Sequence, residues 1–405
     1  MTPEIKHRIE KIRRGNVPDG YKKTKAGILP ADWDVHMLGD CLSRVERPVE
    51  VKPNELYTQI GIRSHGKGLF YKEPVTGAAL GNKAVFWIEP DCFIVNIVFA
   101  WEQAIGKTTQ SEVGMIGSHR FPMYRPVNDR VDIDYLISYF LTKRGTDILE
   151  AASPGGAGRN KTLGQDRFLK SKITLPPIEE QRKIAAILTT QDKVIELKEK
   201  RLAEKQRQKK YLMQQLLTGK KRLPGFIGKW KTFGFNEIFI TISTKGHQIN
   251  KAEYETKGRY PVIDQGRQMI AGYSNKAEKA LMCPKEGVIV FGDHTREIKF
   301  VNFNFIVGAD GTQLLSAKSK NAAIKYLFYY LSNKDIHSDG YSRHFKYVKE
   351  FTYRLPPLGE QTAIAEVLSA ADHEIDLLQQ DIEQEKQKKK ALMQLLLTGI
   401  VRVKT

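Results

Sequence analysis

The sequence predicts an α+β chain in which two mixed globules are joined by two long helices that pair as an antiparallel intramolecular coiled coil with pseudo-twofold character. Three observations predict it. First, LPPIEEQRKIAAIL at 175–188 returns as LPPLGEQTAIAEVL at 355–368, and KKYLMQQLLTG at 209–219 returns as KKALMQLLLTG at 389–399, both 180 residues later. No insertion separates the matching ends, so both copies have one length, and a repeat at fixed spacing constrains architecture more than any local motif. Second, apolar residues inside each copy recur at alternating steps of four and three, the period of a coiled-coil seam. Third, the segments before each copy mix strand-like and helix-like patterns.

Residues 1–174 read as the first globule, with FIVNIVFAW at 93–101 as a buried strand and DYLISYFLTKRG at 134–145 as a short helix. Residues 175–219 read as the first long helix. Pro-Pro suits its first turn, Glu180-Gln181 sets a carboxylate against the exposed N–H groups, and Thr-Gly stops it. Its seam is Ile184, Leu188, Ile195, Leu202, Leu212 and Leu216, with polar lapses at Gln191, Lys198, Lys205 and Lys209. Residues 220–354 read as the second globule, with VIVFGD at 288–293 as a buried strand and IKYLFYYLSNK at 324–334 as a helix. Residues 355–405 read as the second long helix, whose seam is Ile364, Leu368, Ile375, Leu378, Ile382, Leu392 and Leu396, interrupted by Ala371, Glu385 and Lys389. Residues 180–222 carry 13 Lys/Arg against 5 Asp/Glu, and residues 360–405 carry 6 against 8, so the two helices attract. The competing expectation is that each helix caps its own globule. A helix of about 36 residues at 1.5 Å per residue spans about 54 Å, the length of a spacer.

The globules match each other weakly. ILPADWDVHML around Trp33 echoes GFIGKWKTFGF around Trp230, and Tyr135-Leu136 echoes Tyr326-Leu327. Similar frames with different loops suggest two readers of different targets.

The net charge of +19 over 405 residues makes nucleic acid the leading partner class. No apolar run approaches the length of a membrane span, and the N-terminus has no secretory apolar segment, so a cytoplasmic protein with no membrane partner is expected. Cys41, Cys92 and Cys283 fit neither a disulfide framework nor a metal half-site. The candidate DNA-binding residues lie in glycine-punctuated loops. In the first globule they are Arg63, His65, Lys67, Lys107, Gln110 and Arg120; in the second they are Gln265, Arg267, Gln268, His294, Arg296, Tyr341, Arg343, His344 and Lys346. Arg and Lys pair with guanine edges or phosphates and Gln bridges adenine, so the residue types suit groove readout.

The duplicated LPPxxEQ…LLTG helix with one variable globule before each copy, together with IGIRSHGKG at 60–68, FGDHTREIKFVNF at 291–303 and GADGT at 308–312, resembles the specificity subunit of a type I restriction-modification system. The resemblance implies two target-recognition domains, each binding half of a split double-stranded DNA sequence, with the conserved helices setting the gap. It implies docking of two modification subunits, which bring S-adenosylmethionine and an adenine-N6 methyltransferase site, and of motor-nuclease restriction subunits that use ATP and Mg. No cofactor is expected in this chain itself. Gly359 stands where the first copy has Glu179, and Thr362-Ala363 where it has Arg182-Lys183, so the two docking surfaces need not be equal.

The residues offer no catalytic site of their own. Both Pro-Pro pairs are flanked by Leu and Ile or Leu, which supply neither the polar acceptor nor the aromatic ring of an amino-methyltransferase loop. FIVGADGT at 305–312 is explained by turn chemistry. Glu255-Thr256-Lys257 and Glu297-Ile298-Lys299 are nuclease-like triplets that a chain with 27% charged residues produces by chance. The nine histidines lack metal-ligand spacing. The alternatives carried forward are a solitary DNA methyltransferase or nuclease, and a coiled-coil adaptor.

Overall fold

The computed structural model describes residues 2–24, 27–81, 83–155, 161–308, 311–318, 322–338, 340 and 342–403. The chain forms two compact units, Met1–Lys198 with Ile382–Thr405, and Glu199–Asp381. The long helices Ile178–Leu216 and Leu358–Leu396, 39 residues each, contribute residues to both units.

The first unit is built on a four-stranded antiparallel sheet in the order Ile105–Lys107, Phe93–Val95, Met123–Pro126, Leu42–Val45. Its main core stacks Phe93, Tyr124, Phe140 and Phe168 with ring centroids 5.5–6.5 Å apart, and Ile184, Leu188 and Leu396 close the same core. The strand expected over 93–101 ends at Val95, because the Asn96 side chain accepts from the Val98 N–H at 3.1 Å and turns the chain. The helix expected over 134–145 is two helices, Ile133–Phe140 and Lys143–Ala151; the Thr142 side chain caps the second by accepting from Gly145 N–H.

The second unit has a four-stranded antiparallel sheet in the order Phe239–Ile242, Thr312–Ala317, Val288–Gly292, Ile298–Val301. Beside it lies a three-stranded sheet in the order Gly272–Ser274, Tyr260–Ile263, Ile306–Val307, in which the last pair is parallel. Val288–Gly292 is buried throughout, as expected of VIVFGD, and the expected helix forms at Ile324–Ser332.

Each unit enters its long helix in the same way. Lys172–Leu175 pairs antiparallel with Asp34–Met37 just after Trp33, and Tyr353–Leu355 pairs antiparallel with Lys231–Phe233 just after Trp230. The following prolines begin the helix at the only turn where a missing N–H costs nothing. The turns that follow the helices pass through Gly219 (φ +74°) and Gly399 (φ +70°), left-handed positions that disfavour a side chain. At Gly399 a Cβ would also lie 2.5 Å from the Pro30 ring, so the glycine is needed for packing as well as for the turn.

Candidate nucleic-acid interface and helix seam

The Glu-Gln pair at each helix start is wholly buried, although both residue types belong at surfaces. In the first unit Glu180, 0% exposed, receives a bidentate pair from Arg402 (2.7 and 2.8 Å) and the Trp33 indole N–H at 3.2 Å. In the second, Glu360, also 0% exposed, receives Arg222 at 2.9 and 2.5 Å. Gln181 accepts from the Asp132 N–H at 3.0 Å and donates to Pro176 O at 2.9 Å; Gln361 accepts from the Ala323 N–H at 2.9 Å and donates to Pro356 O at 2.8 Å. Each glutamine thereby holds the start of a helix of its own globule, Ile133–Phe140 or Ile324–Ser332, together with the Pro-Pro entry of the long helix. Tyr135 and Tyr326, the echoing tyrosines, are buried, and burial raises the pKa of both.

Sequence reasoning missed Arg222 and Arg402. Their signal was available: they too lie 180 residues apart, each three residues beyond the terminal glycine of the repeat. The two locks differ in one respect. Arg402 also meets Asp32 at 2.9 and 2.7 Å, and Lys229 stands before Trp230 where Asp32 stands before Trp33.

Within each unit the two long helices run antiparallel. In the first, Asp192 faces Lys389 (2.5 Å) and Lys198 faces Glu385 (2.8 Å); in the second, Lys205 meets Glu374 (2.8 Å) and Lys209 meets Asp372. Among the seam residues, Ile184, Leu188, Ile195, Ile382 and Leu396 are buried and Leu392 half-buried in the first unit. In the second, Leu216, Ile364, Leu368 and Ile375 are buried and Leu202, Leu212 and Leu378 half-buried. The polar lapses are paired. Gln191 donates to the Glu385 carboxylate at 2.7 Å beside Lys198, and these hydrogen bonds hold the Glu385 pKa down to about 2. Ile184 and Leu188 also enter the main core of the first unit, and Ile364 and Leu368 that of the second. Capping a globule and pairing with the other helix are therefore simultaneous roles.

The loop candidates of the first unit fall into separate turns. Arg63, His65 and Lys67 are exposed on one loop. Arg63 donates to Leu69 O at 2.6 Å with its guanidinium 5.0 Å from the Phe70 ring centre, and the His65 N–H donates to Glu102 O at 2.8 Å. Lys107 is half-buried and engaged with Asp134 at 2.8 Å. Gln110 is exposed on a one-turn helix closed by buried Glu112, whose carboxylate accepts from the Thr109 N–H (2.7 Å), the Thr109 hydroxyl (2.8 Å) and the Tyr71 hydroxyl. Arg120 is exposed in the turn after Ile116–Ser118.

In the second unit the loops converge. The Gln265 side chain accepts from the His294 N–H at 3.2 Å, the Thr295 hydroxyl donates to Gln265 O, and the His294 ring meets Ser342 O at 3.2 Å. Three separate segments thus form one polar cluster, from which Arg267, Gln268, Arg296, Arg343 and Lys346 are exposed. Arg296 also donates to Ile336 O at 2.9 Å from a left-handed backbone (φ +64°). His344 departs from the surface placement expected of a DNA contact. It is 1% exposed and its ring meets Asp293 O at 2.9 Å, so it ties loops together because its neighbours, not the solvent, fill its surroundings. Tyr341 lies outside the described residues. Among the described residues no group of three or more His, Cys, Asp or Glu is arranged to hold a metal ion, and no helix is long and apolar enough to cross a membrane.

Comparison with known proteins bears on what this doubled arrangement serves. Residues 88–206 and 227–387 match the family described as type I restriction modification DNA specificity domain. Two Methanocaldococcus jannaschii proteins, named as the MjaX and MjaVIII specificity subunits of type I restriction enzymes, align over nearly the whole chain. The first is 26% identical and covers 96% of this chain and 98% of its own length; the second is 23% identical and covers 95% and 97%. The fold is similar to that of a type I restriction-modification S subunit from M. genitalium, with a TM-score of 0.62 at 13% identity over 90% of this chain and 96% of that one. A further structure, of a type I restriction-modification system, gives a TM-score of 0.56 at 20% identity over 92% and 99%.

Proposed function

This chain belongs to the type I restriction modification DNA specificity domain family, and on that premise we propose that each of its two units reads one half of a bipartite double-stranded DNA site. It is a specificity subunit, and its own residues bind and position, with no chemical step assigned to them. Two modification subunits dock on the repeated helices and bring S-adenosylmethionine; restriction subunits bring ATP- and Mg-dependent translocation and cleavage. The complex acts in the cytoplasm.

The observation that carries this reading is a repetition with a difference. The Glu-Gln-Arg lock, the Pro-Pro entry and the glycine stop occur once in each unit, while the loops mounted on them share no residue pattern. A repeated frame offers two equivalent docking faces, and unlike loops read unlike half-sites. Arg63, His65, Lys67, Gln110 and Arg120 are the reading groups of the first unit. Arg267, Gln268, Arg296, Arg343 and Lys346 serve the second, whereas Lys107, Gln265, His294 and His344 shape the loops. The docking faces are unequal: Arg182 pairs with Glu179 at 2.7 Å at the first helix start, where the second has Thr362 and Gly359.

The test is a complex of this chain with its modification subunits, analysed by footprinting and by mapping methylated adenines in host DNA. One split sequence is expected, bound with an affinity that falls steeply with salt as counterions are released. Sequence-blind binding by the complex would overturn the proposal. So would methyl transfer or cleavage by the chain alone, which the enzyme alternative requires. Failure of duplex DNA to compete with a protein partner would instead favour the adaptor alternative.

A further inference from the structure

Strand Ile298–Val301 alternates its side chains between two cores: Ile298 and Phe300 pack on the main core of the second unit, and Val301 on the smaller core with Ile263, Val290 and Leu314. Position 299 shares the face of Val301, where the alternation calls for an apolar residue. Lys299 occupies it, only 7% exposed. An ammonium group buried on an apolar face is costly unless hydrogen-bonded, so its presence there points to a task that valine would not perform.

Its partners identify that task. The ammonium donates to Asp264 O at 2.8 Å and to Gln268 O at 2.6 Å, with the Asp264 carboxylate 3.9 Å away. These two carbonyls are the first and last of the loop DQGRQ. Inside the loop the Gly266 N–H donates to the Asp264 side chain at 2.8 Å, and Gln265 O accepts from Thr295. The ends are thus clamped on one buried cation, while the Arg267 side chain, 94% exposed, and Gln268 project outward.

We infer that Lys299 is the positioning residue of the second unit's reading loop, closing residues 264–268 into one conformation that presents Arg267 and Gln268 to a DNA base pair. The inference rests on the proposed reading of half-sites by this unit. Preorganised donors discriminate between bases, because a mobile arginine pairs with any phosphate within reach, whereas a fixed one meets a particular base edge. Burial lowers the pKa of Lys299, yet its two carbonyl acceptors and the nearby Asp264 and Glu297 all favour the charged, three-donor form.

The experiment uses the full chain in complex with its modification subunits and a library of randomised duplexes, selected for binding and sequenced. Three chains are compared: wild type, Lys299→Met, and Arg267→Ala with Gln268→Ala. Wild type yields two sharp half-sites. The double variant broadens one of them, which defines the second unit's half-site. Lys299→Met broadens the same half-site, with preference at its affected positions falling about tenfold or more, and leaves the other half-site and the salt dependence unchanged. A merely structural lysine would lower thermal stability without altering base preference. If the double variant leaves both half-sites sharp, the loop is no reader and the functional reading of this unit fails. If the double variant broadens a half-site and Lys299→Met leaves it sharp, the positioning role alone is overturned. Should Lys299→Met fail to fold, Lys299→Gln, which keeps one donor, is read by the same outcomes.

Discussion

Replacing Glu180 with alanine removes two charge-assisted hydrogen bonds from Arg402 and an acceptor of the Trp33 indole N–H. Hydrogen bonds to charged groups contribute about 1.5–3 kcal/mol each when lost outright. Arg402 is about one-third exposed and keeps both contacts to Asp32, so water and Asp32 recover much of that loss. A net destabilisation of about 2 kcal/mol remains, which for a unit of this size lowers its unfolding temperature by about 4–8 °C. Glu360→Ala removes the carboxylate of the second lock, and Arg222 meets no second carboxylate among the described residues. Its unit is therefore expected to lose more than the first does. Differential scanning calorimetry of the full chain, with each variant measured against wild type, resolves the comparison. Shifts within about 1 °C for both variants, or a larger loss from Glu180→Ala, would refute the argument that buried bidentate pairs hold the helix entries and that Asp32 makes the locks unequal.

Acid should loosen the helix pairing of the first unit at a defined point. The Glu385 pKa is held near 2, well below the ordinary carboxylate value of 4.5, so its contribution is complete above about pH 4.5 and is lost as pH falls from there towards 2. Urea unfolding followed between pH 5 and pH 2 should show this loss, and Glu385→Gln should flatten it. Lengthening both long helices by one turn, about 5.4 Å, should widen the unread gap by one or two base pairs at about 3.4 Å each and leave both half-sites unchanged. Mapped methylation sites report the gap, and an altered half-site with an unaltered gap contradicts the spacer role.

The helices were legible because heptad periodicity is a local property: the positions of Ile184, Leu188, Ile364 and Leu368 follow from spacing alone. The helix ends were legible because Pro-Pro and Thr-Gly act through their own backbones. The loops were less so. His344 and Lys107 stand in sequence among glycines and basic residues like any surface reader, yet one is enclosed beside Asp293 and the other is paired with Asp134. In sequence Lys299 is only the last residue of a chance Glu-x-Lys triplet, since nothing local distinguishes a buried lysine from a solvated one.

The doubling, the equal helix lengths and the basic charge that suits a polyanionic partner were therefore determined by the amino-acid sequence alone, because repeats, periodicity and composition need no knowledge of distant neighbours. Only the tertiary structure decided that Glu180 and Glu360 are buried partners of Arg402 and Arg222, and that residues 264–268, 292–296 and 342–344 meet in one cluster. The reason is physical. A side chain's burial and hydrogen bonding depend on segments that folding brings beside it from tens or hundreds of residues away, and a charged residue carries no local mark of whether water or a carbonyl group will meet it.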